Sequence, residues 1–368
     1  MAQDRLRIGI VGCGDVAHRH YLPALAEMAD TVRVAALMDP RPGVARITAT
    51  EIEGWSPAAR AYEDLEAMLA DGDLDAIIDL APAPRHGEVN AAVLEAGIGL
   101  YSEKPIASTL ADADRLIDTA KSKDLPFLCA PGVAATRRFQ WLGDLVRTER
   151  YGPTTLVVAH HADPGPAAWR EYTGDPRPFY REGVGPVFDH GVYRLHGMTA
   201  ILGPVRSVQT MGAIGTPTRH VRGGPLTGQT IDVTTPDHVL INLAFANGAL
   251  GQLLASFGTA STLAPWLEVH CRTATISFGG QSHDKDAPVS IYLDDETPAA
   301  TEGWHHDAEV PTDPYPVVET GIHHFIDYLR GGVEPVLTPE QARHVLDITL
   351  QAYASIADGA THRTTTTF

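Results

Sequence analysis

Gly12 and Gly14 directly follow the first apolar run of the chain, where a segment with helical periodicity begins. The six residues from position 12 read Gly-Cys-Gly-Asp-Val-Ala, which matches the pattern G-x-G-x-x-A. Glycines let the backbone turn tightly and approach a pyrophosphate, whose charge then lies at the positive end of a helix. The motif therefore predicts a dinucleotide site formed by Gly12, Cys13, Gly14, Asp15, Val16 and Ala17.

An acidic residue ends the next apolar run. Asp39 follows Val32–Met38 at about the interval where dinucleotide folds place a carboxylate for the adenosine ribose hydroxyls. Its charge would repel a 2′-phosphate, so NAD is favoured over NADP. Two alternatives stay open, because Asp39 before Pro40 could simply start a turn, and Arg41 could receive a 2′-phosphate if Asp39 turned away.

The segments that must position these residues alternate between strand and helix patterns. Apolar runs predict strands at Leu6–Val11, Val32–Met38 and Asp75–Leu80, and helical periodicity occurs at Val16–Met28, Tyr62–Leu69 and His86–Ala96. Such alternation is typical of parallel strands joined by right-handed helical crossovers. The first part of the chain is thus predicted to be an α/β Rossmann domain with a doubly wound parallel sheet.

The pattern changes after about position 130, where strands follow one another with little helix. Asn247-Gly248 between two alternating runs indicates a hairpin, long loops are expected at Asp163–Gly185 and Ile214–Pro236, and a last helix is expected from Thr338 to Tyr353. This predicts an α+β domain built on a large, mostly antiparallel open sheet. The predicted domain bounds are 1–128 for dinucleotide binding and 129–368 for substrate binding and oligomerisation.

Composition narrows the possible partners and the compartment. The formal charge of −18 over 368 residues argues against nucleic acid or an anionic membrane as a partner. The three cysteines have no paired spacing, which favours a reducing compartment, and a strand beginning near the N-terminus leaves no room for a signal peptide. No apolar stretch approaches the length of a membrane span. The sequence therefore predicts a cytoplasmic protein.

Two further segments resemble one oxidoreductase family. They are Ala-Pro-Ala-Pro-Arg-His at positions 81–86 and Glu-Lys-Pro at 103–105, just past an expected strand. With the glycine turn they resemble the glucose-fructose oxidoreductase, inositol dehydrogenase and MocA (Gfo/Idh/MocA) family. The resemblance implies that the first segment lies beside the nicotinamide and that Lys104 reaches into the active site. It adds Ala81, Pro82, His86, Glu103 and Lys104 to the expected cofactor contacts.

A third segment, at positions 183–196, resembles the family's G-G-G-x-x-x-D-x-G-x-H-x-x-D stretch. It keeps Asp189, but Tyr193 replaces the usual histidine and His196 replaces the second aspartate. Tyrosine at the first position is similar to the glucose-fructose oxidoreductase and dihydrodiol dehydrogenase branches. The three residues have helical i, i+4 and i+7 spacing, so one shared face is expected. The alternative is a buried tyrosine hydrogen-bonded to a capping aspartate.

The resemblance implies alcohol oxidation, which requires a group that accepts the hydroxyl proton as the hydride leaves. Free tyrosine, with a pKa of about 10, is a poor base at neutral pH, but a nearby ammonium would favour its phenolate. Lys104 is therefore expected to activate Tyr193 and to stabilise the developing alkoxide. Asp189 would orient Lys104 or a substrate hydroxyl, and His196 would pass the proton outward.

The long loop before Asp189 carries aromatic residues that could stack on the apolar face of a sugar ring. Trp169 and Tyr180 are the candidates for substrate binding, together with Lys104, Asp189 and Tyr193, although both aromatics could equally anchor the loop. Adjacent histidines on a strand point to opposite faces, so the pairs at 160–161, 305–306 and 323–324 do not predict a metal site.

These observations predict an NAD(P)-dependent oxidoreductase that moves a hydride between nicotinamide and a secondary alcohol or ketone of a sugar, cyclic polyol or glycoside. One alternative is redox-neutral, NAD-dependent cleavage of a glycosidic bond, and another is a non-catalytic NAD(P)-binding regulator. The family resemblance also implies a homodimer or homotetramer that assembles through the C-terminal sheet.

Overall fold

The computed structural model describes residues 5–280, 285–297, 301–306 and 309–368. The chain divides into two compact units. The first unit contains residues up to Gly132 together with Val318–Leu346, and the second contains Val133–Val317 and Asp347–Phe368. Each unit is built on one large sheet.

The first unit contains a six-stranded parallel sheet with the order β3-β2-β1-β4-β5-β6. This is the strand order of dinucleotide-binding folds, in which ligands bind at the carboxyl ends of the strands. Near-continuous apolar runs form the central strands because helices cover both faces of such a sheet. The strands are β1 (Leu6–Val11), β2 (Val32–Met38), β3 (Arg60–Tyr62), β4 (Ala76–Asp79), β5 (Gly99–Ser102) and β6 (Phe127–Cys129).

Five helices connect these strands: α1 (Leu22–Glu27), α2 (Val44–Glu51), α3 (Leu65–Ala70), α4 (His86–Glu95) and α5 (Leu110–Ser122). Side-chain caps begin several of them, as where Asp64 accepts a hydrogen bond from the Ala67 amide and Thr109 accepts one from Asp112. A π-helical turn at Ala17–Tyr21 precedes α1.

A later part of the chain returns to this first unit, which differs from the predicted bounds. Helix α8 (Val317–Leu329) places Phe325 against Tyr101 with ring centroids 5.3 Å apart. The Cys129 amide donates to the Leu337 carbonyl, which ties the returning segment to the end of β6. The amphipathic pattern of α8 predicts a helix but does not identify the sheet that its apolar side covers.

The second unit contains a nine-stranded sheet with the order β16-β15-β14-β13-β7-β12-β11-β8-β17. Its neighbouring strands are antiparallel except for the parallel pair β7–β12. The strands are β7 (Thr154–Ala162), β8 (Val205–Ala213), β11 (His238–Phe245), β12 (Leu250–Ser256), β13 (Leu267–Cys271), β14 (Ala274–Phe278), β15 (Val289–Leu293), β16 (Gly303–His305) and β17 (His362–Arg363). A separate ribbon pairs β9 (Thr218–His220) with β10 (Thr230–Asp232).

Helices α6 (Arg137–Arg147) and α7 (Val192–Leu202) also belong to this unit, and α9 (Pro339–Asp358) crosses the division between the units. The predicted hairpin is present between β11 and β12, where Gly248 has φ +95°. The two predicted long loops pack on each other through a small apolar cluster of Ala167, Tyr180, Val221, Ile231, Val233 and Phe257.

Together the sheets confirm the predicted fold class, a Rossmann domain followed by an α+β domain on a mostly antiparallel sheet. In the part of the chain that the structure describes, no helix has both the length and the apolar character that crossing a membrane requires.

Candidate functional site

The glycine turn at the end of β1 has the geometry that a phosphate cradle requires. Gly12 has φ +95°, and a Cβ there would lie 2.6 Å from the Leu80 carbonyl oxygen, so no other residue fits. A Cβ on Gly14 would meet nothing within 4 Å, which leaves open space over the backbone where a pyrophosphate could approach. Ala17 is buried and Val16 is exposed at the start of the π-helical turn. These features fit a dinucleotide.

Asp39 is tied to this turn. Its Oδ2 accepts the Cys13 amide at 3.0 Å, and the Arg41 guanidinium binds both carboxylate oxygens at 2.7 and 2.8 Å. Burial raises the pKa of Asp39, but the hydrogen bonds from Arg41 and Cys13 outweigh it and hold that pKa below its ordinary value. The carboxylate is therefore anionic and can accept ribose hydroxyls, while Arg41 moderates its repulsion of a 2′-phosphate.

The side chains of Asp15 and Cys13 are directed to the protein itself. Asp15 forms an ion pair with Arg19 at 2.7 Å, one helical turn further on. Burial raises the pKa of the Cys13 thiol to about 12, so this thiol stays protonated and unreactive. Within the G-x-G-x-x-A motif, the backbone is thus what can serve a phosphate.

The segment after β4 is held by a buried histidine. The Ala81 amide donates to Asp79 Oδ1 at 2.9 Å, and Pro82 is exposed beside it. His86 Nδ1 lies 2.6 Å from the Pro105 carbonyl oxygen and its Nε2 lies 2.7 Å from that of Ala81. Both ring nitrogens of His86 therefore contact backbone carbonyls, which leaves neither of them available to donate to a cofactor.

Lys104 follows β5 and lies in a loop that its neighbour supports. Glu103 accepts the Tyr21 hydroxyl at 2.6 Å and the Lys104 amide at 3.0 Å. The Glu103 carboxylate thus orients the backbone of Lys104. Within the first unit, the structure brings together the glycine turn, Asp39, the Ala81 segment and the Lys104 loop at the carboxyl ends of neighbouring parallel strands, as the sequence predicts.

In the second unit, a π-helical turn at Val187–Gly191 leads into α7. Asp189 lies in this turn and Tyr193 in the first turn of α7, and both are buried. π-Helical turns are rare and occur frequently at functional sites.

His196 differs from its predicted role. It is buried within α7, and burial lowers its pKa to about 3. A neutral imidazole without solvent access is a poor proton acceptor, which contradicts the prediction that His196 passes a proton outward. The sequence gives the spacing of His196 but not the packing around it.

Around Asp189 the structure assembles three residues that the sequence analysis did not select. His190 Nδ1 lies 3.3 Å from His161 Nδ1, and His190 Nε2 lies 3.5 Å from Asp189 Oδ2. His161 Nε2 lies 3.5 Å from Asp163 Oδ2. Burial raises the pKa of Asp163 to about 6. We call His161, Asp163 and His190 the histidine cluster.

His161 comes from β7, and its strand neighbour His160 instead contacts the Pro265 carbonyl through Nδ1.

A buried guanidinium borders the histidine cluster. Arg194 donates to the His160 carbonyl through Nε and lies 3.4 Å from His161 Nδ1 through NH2. Burial lowers its pKa to about 9, while the charges of Tyr193 and Asp163 act in the opposite direction, so Arg194 is cationic at neutral pH. Because an arginine only donates hydrogen bonds, His161 Nδ1 acts as an acceptor towards it. Arg194 is also a cation that favours a Tyr193 phenolate.

The two aromatic candidates of the long loop differ. Trp169 lies beside His190 with ring centroids 5.3 Å apart and is partly exposed, so it stays a candidate for stacking on a sugar. Tyr180 is fully buried, and its hydroxyl accepts the Ala167 amide at 3.0 Å. Tyr180 therefore anchors the loop and has no ring face to offer a substrate, which corrects its predicted role.

The histidine cluster could in principle ligate a cation, since one ligand atom from each residue lies within 4.8 Å of the others. The Arg194 guanidinium opposes this, because it places a buried positive charge 3.4 Å from one of the imidazole nitrogens. The sequence prediction that the adjacent pair His160-His161 does not form a joint site agrees with their opposite directions on β7.

Comparison with known proteins gives two family matches that together cover most of the chain. Residues 6–130 match the oxidoreductase family with an NAD-binding Rossmann fold, and residues 139–277 match the GFO/IDH/MocA C-terminal domain. A dTDP-3,4-didehydro-2,6-dideoxy-alpha-D-glucose 3-reductase of Streptomyces antibioticus is 29% identical over 72% of this chain and 76% of its own length. A myo-inositol 2-dehydrogenase of Thermotoga maritima is 25% identical over 67% of each chain.

Among solved structures, the WlbA dehydrogenase of Bordetella pertussis in complex with NADH and UDP-GlcNAcA superposes with a TM-score of 0.75. It covers 98% of this chain and 99% of its own chain at 20% identity. At that identity the likeness concerns the fold.

Proposed function

Because the chain belongs to the Gfo/Idh/MocA family of NAD(P)-dependent oxidoreductases, we propose that it moves a hydride between nicotinamide and a secondary alcohol or ketone of a sugar, cyclic polyol or glycoside. Named relatives that reduce a dTDP-sugar or oxidise an inositol support this substrate class. NAD is favoured over NADP, because Asp39 is anionic and hydrogen-bonded to the phosphate turn.

The observation that carries the proposal is the polar group at the start of α7. There Asp189, His190 and Tyr193 lie next to the partly exposed ring of Trp169. An aromatic face beside proton-accepting groups suits a ring with several hydroxyls, since sugars offer an apolar face and polar edges. The substrate would be held by Trp169, Asp189, Tyr193 and Lys104.

In this proposal Tyr193 accepts the proton of the reacting hydroxyl. When bound, the nicotinamide ring supplies the hydride acceptor or donor. Lys104 would stabilise the alkoxide and favour the Tyr193 phenolate, and the Arg194 charge next to Tyr193 acts in the same direction. Asp189 would orient Lys104 or a substrate hydroxyl.

His190 takes the role that the sequence predicts for His196. Its imidazole lies between two groups that can accept from it, His161 Nδ1 and Asp189 Oδ2. The Asp189 carboxylate therefore favours a proton on His190, whereas His161 Nδ1 shares its lone pair with the Arg194 guanidinium. The rings of His190 and Tyr193 are neighbours, with centroids 6.1 Å apart.

The test follows the near-ultraviolet absorbance of reduced nicotinamide with NAD or NADP against a panel of sugars, inositols and glycosides. We expect one substrate class to change the absorbance, and Tyr193→Phe and Lys104→Ala each to lower kcat by about 10³-fold with NADH binding retained. Tyr292→Phe, on β15 next to the edge strand, and Lys121→Ala, on the exposed side of α5, are matched controls.

The outcomes are separable. Near-normal turnover in Tyr193→Phe or Lys104→Ala would overturn the residue assignment. Flat absorbance across the panel, together with release of a sugar from a glycoside, would replace dehydrogenation by redox-neutral cleavage. Flat absorbance and no product, with NADH still bound, would indicate a regulator.

We further propose that the chain forms a homodimer or homotetramer through the nine-stranded sheet. Met211, Leu240 and Leu250 are 75%, 45% and 57% exposed on strands of that sheet, and Leu240 is the direct cross-strand partner of Met211. Such an apolar group on an open sheet is typical of an interface between copies. Light scattering should give a multimer that Leu240→Asp dissociates, whereas a monomeric wild type would overturn this point.

A cytoplasmic location completes the proposal. Cys13, Cys129 and Cys271 are free thiols, as expected in a reducing compartment. Cell fractionation should place the chain with cytosolic markers, and recovery from a membrane or exported fraction would contradict this.

A further inference from the structure

The hydrogen bonds of His86 define its protonation state. This residue begins α4 and is 1% exposed. Its two ring nitrogens lie 2.6 and 2.7 Å from the carbonyl oxygens of Pro105 and Ala81. A backbone carbonyl only accepts, and a neutral imidazole has one N–H and one lone pair. With a neutral ring, one of these short contacts would be a repulsion between two lone pairs, so both nitrogens must carry a proton.

A buried imidazolium requires an anion nearby. Asp79, the last residue of β4, is fully buried and interacts electrostatically with His86. Burial raises the pKa of Asp79 to about 6, while the charge of His86 and the Ala81 amide lower it, so the carboxylate is largely ionised at neutral pH. Asp79 Oδ2 has no hydrogen-bond partner among the described residues, so this oxygen depends on charge alone for compensation.

The other charged groups around His86 do not replace this pairing. The Glu103 carboxylate accepts from Tyr21 and from the Lys104 amide. Arg85 and Glu88 form an exposed ion pair with each other on α4. Asp112, whose side chain lies near Gly87, interacts with Thr109 and Arg115.

The His86 ring lies between two backbone segments, so its hydrogen bonds can hold these segments together. Ala81 belongs to the segment that the resemblance places beside nicotinamide, and Pro105 directly follows Lys104. One turn further along α4, Asn90 Nδ2 donates to Ser102 Oγ at 2.8 Å and to the Ile106 carbonyl at 3.0 Å. Helix α4 therefore holds the backbone on both sides of Lys104, and the His86 ring adds the connection to the Ala81 segment.

We propose that His86 is a positioning residue that carries a proton on both ring nitrogens and, as an imidazolium paired with Asp79, joins the Lys104 loop to the Ala81 segment. The catalytic consequence rests on the proposed function, in which Lys104 stabilises the alkoxide. The protonation state does not depend on it. A ring with only one proton would lose one of these two hydrogen bonds, and Lys104 would lose orientation.

The first experiment is ¹⁵N NMR of the full chain labelled at its 17 histidines. At neutral pH we expect a signal from a ring with both nitrogens protonated. His86→Gln should remove that signal, and His160→Gln, a histidine on β7 in the second unit, should leave it in place. A His86 ring with one unprotonated nitrogen at neutral pH would overturn the proposal.

Asp79→Asn provides a second variant in case His86→Gln does not fold. Asparagine keeps an oxygen for the Ala81 amide but removes the anion, so the doubly protonated signal should be lost at neutral pH. An unchanged signal would show that Asp79 does not stabilise the imidazolium and would overturn the pairing.

Kinetics test the positioning role. We expect His86→Gln to lower kcat by about 10-fold to 10²-fold, with the substrate KM changed much less. A KM effect with unchanged kcat would overturn the positioning role. If Lys104→Ala retains full activity while the NMR signal is present, the proposed function fails at Lys104 and the protonation of His86 stands.

Discussion

The two units build their polar sites in different ways. In the first unit, Asp39 and His86 bond mainly to backbone groups of neighbouring turns: the Cys13 amide for Asp39, and the Ala81 and Pro105 carbonyls for His86. In the second, His161 and His190 meet through their side chains and come from segments 29 residues apart. A site made from turns leaves a local motif in the sequence, whereas a site made from side chains of distant segments leaves only unremarkable residues.

Gly12→Ala is the most severe test of the backbone-built site. A Cβ at Gly12 would lie 2.6 Å from the Leu80 carbonyl oxygen, and its φ of +95° is strained for alanine. We expect the turn to shift and NADH affinity to fall by about 10²-fold or more, measured by fluorescence titration, together with a lower melting temperature.

Gly97→Ala is the matched control, because it has φ +78° but nothing within 4 Å of its Cβ. It should lower stability slightly and leave NADH affinity unchanged. Equal affinities in Gly12→Ala and wild type would show that the turn tolerates a side chain and that the cradle does not depend on it.

His190→Asn tests the site built from side chains. Asparagine can still donate a hydrogen bond but cannot take up a proton, so we expect kcat to fall by about 10- to 10²-fold while NADH affinity stays within the error of the wild-type value. The measurement is steady-state kinetics with the substrate found in the panel, accompanied by a pH profile.

His160→Gln changes the neighbour of His161, which points to the other face of β7. It should leave kcat unchanged. A similar loss in both variants would indicate a general disturbance of the strand, and normal turnover in His190→Asn would remove this residue from the proton path.

The site residues of the first unit, which are held by neighbouring turns, were easier to predict from the sequence than those of the second unit. Periodicity predicted β2 at Val32–Met38 with the bounds observed. The glycine motif and Asp39, which the sequence predicts to act together, are joined by a hydrogen bond in the structure. The motif that contains His86 predicts a cofactor contact, which stays a prediction. It could not predict the two carbonyls that surround the ring, because these depend on the fold of the neighbouring loops.

The site residues of the second unit were harder to predict from the sequence, because their roles depend on packing. Helical spacing suggested His196 as a relay, yet burial lowers its pKa to about 3, and burial depends on the packing of the whole unit. The composition of the long loop could not separate Trp169, which stays partly exposed, from Tyr180, which is buried under Phe257 and Arg219. His161 next to His160 carried a usable signal: alternation on a strand directs only one of them towards α7.

Asp163→Asn is expected to have a smaller effect, on stability, and it tests whether the polar site of the second unit contains a buried ionisable carboxyl group. Burial raises the pKa of Asp163 from 3.8 to about 6, so the folded state retains a proton that the unfolded chain has released. The free energy of unfolding therefore falls as the pH rises through this window. Asparagine removes the effect, so the stability difference between variant and wild type should change by roughly 1–3 kcal/mol from pH 4 to pH 7.

Denaturant unfolding at several pH values measures this difference. Asp118→Asn, on the exposed side of α5, is the control and should show a much weaker dependence. The direction is decisive: a variant that loses stability relative to wild type as the pH rises would mean that Asp163 is stabilised as a carboxylate in the folded state.

Metal removal should have the smallest effect, and it decides what kind of site the histidine cluster is. Two imidazoles and a carboxylate within 4.8 Å would suit a divalent ion, but the Arg194 guanidinium at 3.4 Å from His161 Nδ1 opposes a second positive charge. Dialysis against EDTA should therefore change kcat by less than about twofold, in wild type as in the His160→Gln control. Activity that is lost on dialysis and restored by one divalent ion would mean that the histidine cluster binds the ion despite the charge of Arg194. The first unit would then hold a phosphate cradle and the second a metal centre.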